Sequence, residues 1–163
     1  MRVGIGYDSH RFEEGRLLVL GGVTIPDHQG LAGHSDGDVV SHALIDALLG
    51  AVGAGDVGSH FPPGDERWRD ADSMDLLRRT LVVLEGRNYQ VVNVDLTVIC
   101  ETPRIAPHAG AIRDRLGALL GVGPEFVSVK GKTNEGMGWI GAGEGLAVHA
   151  VALVDMMREP SDH

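Results

Sequence analysis

With 163 residues, 43% of them hydrophobic, the chain is long enough to bury one real core and too short for two full domains. A formal charge of -9 with no stripe of Lys and Arg argues against a nucleic-acid partner, and the lone cysteine, Cys100, rules out an internal disulfide. The 24 glycines cluster rather than repeat, which speaks against a fibrous or solenoid protein.

No stretch approaches the roughly 20 apolar residues that a membrane helix needs. Met1-Arg2-Val3 leads into a strand without a signal-peptide pattern, so no membrane partner and a cytoplasmic location are expected.

Arg2 to Tyr7 reads as a first strand and Asp8 to Gly15 as a connecting loop. Leu17 to Leu20 and Val23 to Ile25 read as a hairpin around Gly21-Gly22. In extended chain, residues two apart project to one side, so Asp8-Ser9-His10 can present a carboxylate and an imidazole to one point. Ser35-Asp36-Gly37-Asp38 then reads as a cap for a helix running to about Ala51, apolar almost all round. Its polar stripe is Asp38, His42 and Asp46, spaced four residues apart.

Asp8, His10 and His42 together have the donor types of an open, catalytic zinc site, with a fourth position left free. The alternative is a pair of polar loop residues and a core histidine. Asp46 could orient the His42 ring, and Asp38 could meet a substrate hydroxyl; both could also be solvated helix charges. The helix start can hold an anion with His34 beside it as a donor, or Ser35 or Asp36 can simply cap it.

Gly53 to Arg69 has turn residues and no periodicity, which predicts a long loop. Asp72-Ser73-Met74-Asp75 opens a helix that Gly86 stops, and Val92 to Cys100 alternates as a strand. Ile105 to Leu120 reads as a helix entered through Pro107 and closed by Gly121. Short strands follow at Val127 to Lys130 and Leu146 to Val154. Lys130-Gly131-Lys132-Thr133-Asn134-Glu135 offers amines, a hydroxyl and a carboxylate suited to phosphate oxygens and a hard cation, or is a charged turn; it lacks the Walker A order. Cys100 reads as a buried small hydrophobe rather than a reactive thiol. The sum is an α/β (α+β) fold: a mixed four-stranded sheet with helices on one face plus a small β-hairpin, one domain over residues 1–156 and a tail over 157–163.

Taken together, Asp8-Ser9-His10, His34-Ser35-Asp36-Gly37-Asp38, His42-Ala43-Leu44-x-Asp46-Ala47-Leu48-Leu49-Gly50, Gly55-Asp56-Val57-Gly58, Phe61-Pro62, Pro103-Arg104-x-x-Pro107-His108 and Lys130 to Glu135 resemble the 2-C-methyl-D-erythritol 2,4-cyclodiphosphate synthase family, in unbroken order from Arg2 to about Val154. The resemblance implies a homotrimer with active sites between subunits. It also implies conversion of 4-diphosphocytidyl-2-C-methyl-D-erythritol 2-phosphate to the cyclic diphosphate and CMP, in non-mevalonate isoprenoid biosynthesis. By the same resemblance Asp8, His10 and His42 bind zinc, Glu135 carries a second ion, magnesium or manganese, and His34 with Thr133 stabilises the transition state. Asp56, Val57 and Gly58 would hold the methylerythritol, the stretch with Cys100, Pro103, Arg104, Ile105 and Ala106 the cytidine, and Lys132, Thr133, Asn134 and Glu135 the diphosphate. Asp8, His10, His34, Ser35, Phe61, Asp65 and Trp139 complete the implied substrate contacts. The chain departs from the family pattern at Pro63, where Asp is common, at Trp139, where Phe is usual, and at Ala142, where Arg is typical.

Overall fold

The structure is a computed structural model that describes residues 1–157; the expected tail, from residue 158 on, lies outside the described residues. Five strands form one sheet in the order β2-β1-β5-β3-β4. They are β1 (Arg2–Leu20), β2 (Val23–Leu31), β3 (Tyr89–Ile99), β4 (Val127–Lys132) and β5 (Gly145–Met156). Among the described residues only β3 and β4 pair in parallel.

The expectation of four strands plus a separate hairpin is corrected by β1. Its first half pairs with β5 from Arg2↔Val154 to Arg11↔Gly145, and its second half pairs with β2 from Phe12↔Leu31 to Leu20↔Val23. Asp8 to Gly15 is therefore strand, not loop, and the hairpin is the sheet's edge. Its turn is as expected: Gly21 and Gly22 have φ of 58° and 74°, the pair of positive values a two-residue hairpin requires.

Strand alternation sorts the sheet into two faces. Gly4, Gly6, Asp8 and His10 pair with Ala152, Ala150, Val148 and Leu146 on the covered side. Val3, Ile5 and Tyr7 point the other way and are exposed, Val3 at 66% and Ile5 at 73%. In β3 the predicted alternation holds from Val94 to Val98, but an irregularity between Val91 and Asn93 buries Val91 in place of Val92.

The covering helices are α1 (Val39–Ala51), α3 (Ser73–Gly86) and α4 (Ala106–Leu120), with single turns α2 (Val57–His60) and α5 (Gly138–Gly141). The stretch expected as a long loop thus holds α2 and a 3-10 turn at Glu66–Trp68. Helix α1 sits almost on the strand backbone: a Cβ at Gly4 would stand 1.8 Å from the Ala47 carbonyl oxygen, and one at Gly6 1.9 Å from that of Ala43. The Gly4 and Gly6 faces of β1 therefore set the height of α1, and with it the reach of His42 toward Asp8.

Asp38, not Ser35, caps α1. Its fully buried carboxylate accepts from the Ser41 amide at 3.1 Å and from the Gly21 and Gly22 amides at 2.8 Å each, pinning the hairpin turn to the helix start. Those bonds and one from the Ser41 hydroxyl at 2.8 Å occupy the carboxylate, so Asp38 does not meet a substrate hydroxyl.

Candidate metal-dependent active site

The extended backbone of β1 aims Asp8 and His10 at the same side, and α1 brings His42 down to them. The Asp8 Oδ2 lies 2.8 Å from His10 Nε2 and 3.2 Å from His42 Nδ1. All three donor atoms fall within 4.8 Å of one another. Donors about 2.1 Å from a tetrahedral zinc stand about 3.4 Å apart, so these side chains fit a divalent metal with little movement. The outer nitrogen of His10, Nδ1, faces the carbonyl oxygen of Ala32, so in the neutral ring Nδ1 carries the proton and Nε2 is free to bind a metal.

Electrostatics tell the same story. Burial alone would raise the Asp8 carboxyl, but hydrogen bonds and charge from His10 and His42 hold it down at about 2. Burial would lower His10, yet the Asp8 hydrogen bond and charge, with the Ala32 carbonyl, raise it above its ordinary value. A carboxylate and two imidazoles are drawn around one position where positive charge is favoured.

The pocket over these donors is walled by His34, Ser35, Val57, Gly58, Phe61, Pro63, Trp68 and Leu76. Phe61 and Trp68 meet edge to face at 5.2 Å between ring centres. The His34 Nε2 stands 3.3 Å from the Asp65 carbonyl oxygen, which steadies the ring at the pocket wall. Asp46 does not orient His42: its carboxylate accepts the Val57 amide at 2.7 Å and so anchors α2 at the pocket mouth. The outer nitrogen of His42, Nε2, instead faces Ser73 Oγ at 2.9 Å and Ser35 Oγ at 3.1 Å. Ser73 could be found in the sequence only as a helix-start serine; nothing in its spacing ties it to His42.

Two of the residues expected to touch substrate also shape the local chain. Asp56 caps α2 and shares a reciprocal capping box with Ser59, and Asp65 is paired with Arg67 at 2.5 Å. Neither lines the metal pocket.

A second cleft is lined by Cys100, Glu101, Pro103, Arg104, Ile105, Ala106, Gly131, Lys132 and Thr133. It gathers the stretch expected to hold cytidine and the start of the stretch expected to hold diphosphate. Asn134 and Glu135 follow on a tight turn, where Glu135 has a φ of 53° and Glu101 accepts the Asn134 amide at 2.9 Å. Glu101 lies within the stretch expected to hold cytidine, but its bond to Asn134 has no signal in the sequence, and neither does His28, whose ring reaches from β2 to the Thr102 hydroxyl at 3.0 Å. Cys100 is buried, and its thiol, pushed up to about 11 by burial with the Glu101 charge adding, donates to the Pro103 carbonyl. Trp139 joins neither cleft; it borders a third hollow with Ser9, Arg11 and Glu144.

The two main clefts share no lining residue but lie at the same end of the sheet. Ser9 pairs with Ala147, Ala147 with Ile99, and Ile99 with Lys132, a row across β1, β5, β3 and β4. Three strand spacings put the β1 and β4 ends of that row about 14 Å apart.

Three side chains that could hold a metal ion, with a cleft of amine and hydroxyl groups at the same sheet end, are the arrangement expected of an enzyme acting on a phosphorylated small molecule. The chain belongs to the YgbB family, whose profile matches residues 1–155. It is 56% identical over 154 residues to the 2-C-methyl-D-erythritol 2,4-cyclodiphosphate synthase of Symbiobacterium thermophilum, a match covering 94% of this chain and 98% of the relative. A solved 2C-methyl-D-erythritol-2,4-cyclodiphosphate synthase in its CDP-bound form superposes with a TM-score of 0.87 at 40% identity, over 94% of this chain and 100% of that one. The bifunctional IspDF of Campylobacter jejuni superposes with a TM-score of 0.92 at 35% identity over 96% of this chain, which spans 42% of that longer protein.

Proposed function

We infer that the chain is a 2-C-methyl-D-erythritol 2,4-cyclodiphosphate synthase, a phosphorus–oxygen lyase of non-mevalonate isoprenoid biosynthesis that converts 4-diphosphocytidyl-2-C-methyl-D-erythritol 2-phosphate to the cyclic diphosphate and CMP. The observation that carries this reading is the convergence of Asp8, His10 and His42 in a chain that matches such synthases over nearly its whole length. Residues 1–156 act in it as a single domain.

The chemistry needs no strong base. A phosphate monoester has a second pKa of roughly 6, so its oxygen is already anionic at neutral pH. That oxygen attacks the β-phosphorus of the same molecule; a new P–O bond forms, the bond to the α-phosphate breaks, and its electron pair leaves with CMP. Zinc held by Asp8, His10 and His42, with magnesium or manganese at Glu135, would supply neutralisation of the diphosphate charge. Lys132 adds a cation and Thr133 a hydroxyl donor to the diphosphate oxygens, while His34 donates from the pocket wall beside the metal donors. Ser35, Asp56, Val57, Gly58, Phe61 and Asp65 bound the methylerythritol end, and the Cys100 to Ala106 stretch takes the cytidine. Folding one molecule back on itself is the main positional task, and well-oriented intramolecular reactions reach effective concentrations of about 10⁵ M or more.

His34 and Thr133 belong to different clefts, so a substrate touching both needs them brought together. A homotrimer does this by setting the metal pocket of one copy against the nucleotide cleft of the next. The exposed apolar row Val3, Ile5 and Tyr7 supports that assembly, since a monomer seldom leaves such a patch in water. Among the described residues no helix is long and apolar enough to cross a membrane. A cytoplasmic setting is part of the proposal, supported by an unpaired, buried cysteine.

Phosphorus NMR of the product tests the reaction. Substrate incubated with the zinc-loaded protein and magnesium is expected to yield cyclic diphosphate and CMP in equal amounts. Release of inorganic phosphate, with no cyclic product, would contradict cyclisation.

A further inference from the structure

The outer side of His42 is wired as deliberately as its inner side. Asp36 accepts three hydrogen bonds on its carboxylate: the Asp38 amide at 3.0 Å, the Ser73 amide at 3.0 Å, and the Ser73 hydroxyl. A carboxylate can only accept, so the Ser73 hydroxyl hydrogen is committed to Asp36. Ser73 Oγ is then left with lone pairs alone toward His42 Nε2, 2.9 Å away. Ser73 has no exposed surface, so water does not offer its hydroxyl another partner.

We propose that Asp36, acting through Ser73, is a positioning device for the metal site, fixing the His42 proton on Nε2 so that the Nδ1 lone pair faces Asp8. The proposal rests on the reading of Asp8, His10 and His42 as metal donors, but not on the reaction those donors serve. Without the relay His42 can carry its proton on Nδ1, where it bonds directly to Asp8 and blocks a cation. With it, His42 Nδ1 and Asp8 Oδ2 stand 3.2 Å apart as two acceptors, an arrangement that a shared cation satisfies. Ser35 Oγ, at 3.1 Å from the same Nε2, can accept that proton too once Ser73 has fixed it there. His10 obtains the equivalent wiring from the Ala32 carbonyl alone, so the two histidines reach one polarity by different means.

The test is zinc affinity, measured by competition with a chromophoric chelator on the full chain, together with nitrogen-15 NMR of the metal-free protein above the histidine titration range. In the parent the His42 proton is expected on Nε2. Ser73→Ala is expected to weaken zinc binding about 10-fold or more and to shift that proton toward Nδ1, while the protein stays folded. Asp36→Asn is expected to weaken zinc binding similarly, and to add little in the Ser73→Ala background because both changes break one relay. Unchanged zinc affinity in Ser73→Ala, a parent proton on Nδ1, or fully additive losses would overturn the relay. Should Asp36→Asn fail to fold, Ser73→Ala and the NMR of the parent still decide the matter. A parent that binds no zinc would instead overturn the metal reading beneath it.

Discussion

Replacing His42 with alanine is expected to strip the chain of tightly bound zinc and to lower turnover by at least about 100-fold while leaving it folded. His42 is almost fully buried, but its surroundings divide into two parts. The ring's nitrogens face Asp8, Ser35 and Ser73, all polar. The rest of α1 is held by an apolar core that includes Val39, Val40, Leu44, Ile45, Leu48 and Leu49, which the substitution does not touch. The loss of stability is therefore expected to be about 1–3 kcal/mol, that of an ordinary buried truncation. Metal content per chain by atomic absorption, turnover with added zinc, and circular dichroism measure the three effects separately. A variant that keeps one zinc per chain and full turnover would remove His42 from the site.

Gly6→Ala is expected to be worse for the fold than His42→Ala, although it removes nothing. Its new Cβ would stand 1.9 Å from the Ala43 carbonyl oxygen and 2.8 Å from the Ala47 amide nitrogen. Both obstacles are backbone, so no side chain can swing aside, and α1 must lift from β1. Overpacking of this kind is expected to cost about 3 kcal/mol or more. Because Ala43 follows His42 directly, the same lift draws His42 away from Asp8, and zinc affinity should fall together with the melting temperature. Gly110→Ala supplies the contrast: it lies exposed within α4 with nothing within 4 Å of its Cβ, and should stabilise by about 0.5–1 kcal/mol through helix propensity. Urea unfolding of the two variants beside the parent checks both signs. A Gly6→Ala protein as stable as the parent would mean that strand and helix are not locked at this height.

Local signals explain what was legible in the chain. The two-residue step from Asp8 to His10, the Gly21-Gly22 turn, the Asp72 cap and the Pro107 to Gly121 limits of α4 each depend on a few neighbouring residues, and each stands in the structure as read. The middle of β1 is not legible in the sequence, because Arg11 to Gly15 is charged and interrupted, and Arg11 is strand through its pairing with β5 while Phe12 and Glu13 are strand through theirs with β2. The roles of Asp38 and Asp46 stay open in the sequence for a related reason. A helical stripe shows which side a carboxylate leaves from, but not that amides of the hairpin turn or of α2 will arrive to meet it. Ser73 and Asp36 lie 37 residues apart, and their link to His42 exists only once α3 has docked against α1. Lys132 and Thr133 line one cleft and His34 another, so the expectation that they serve one substrate comes from the resemblance to the synthase family and not from spacing.

Diffraction from zinc-soaked crystals, recorded on both sides of the zinc absorption edge, tests the convergence of Asp8, His10 and His42 most directly. The expected result is one strong anomalous peak per chain, about 2.0–2.2 Å from an Asp8 oxygen, His10 Nε2 and His42 Nδ1, with a further ligand position open toward the pocket. A zinc peak held elsewhere, or the three side chains left without one at full zinc loading, would contradict it.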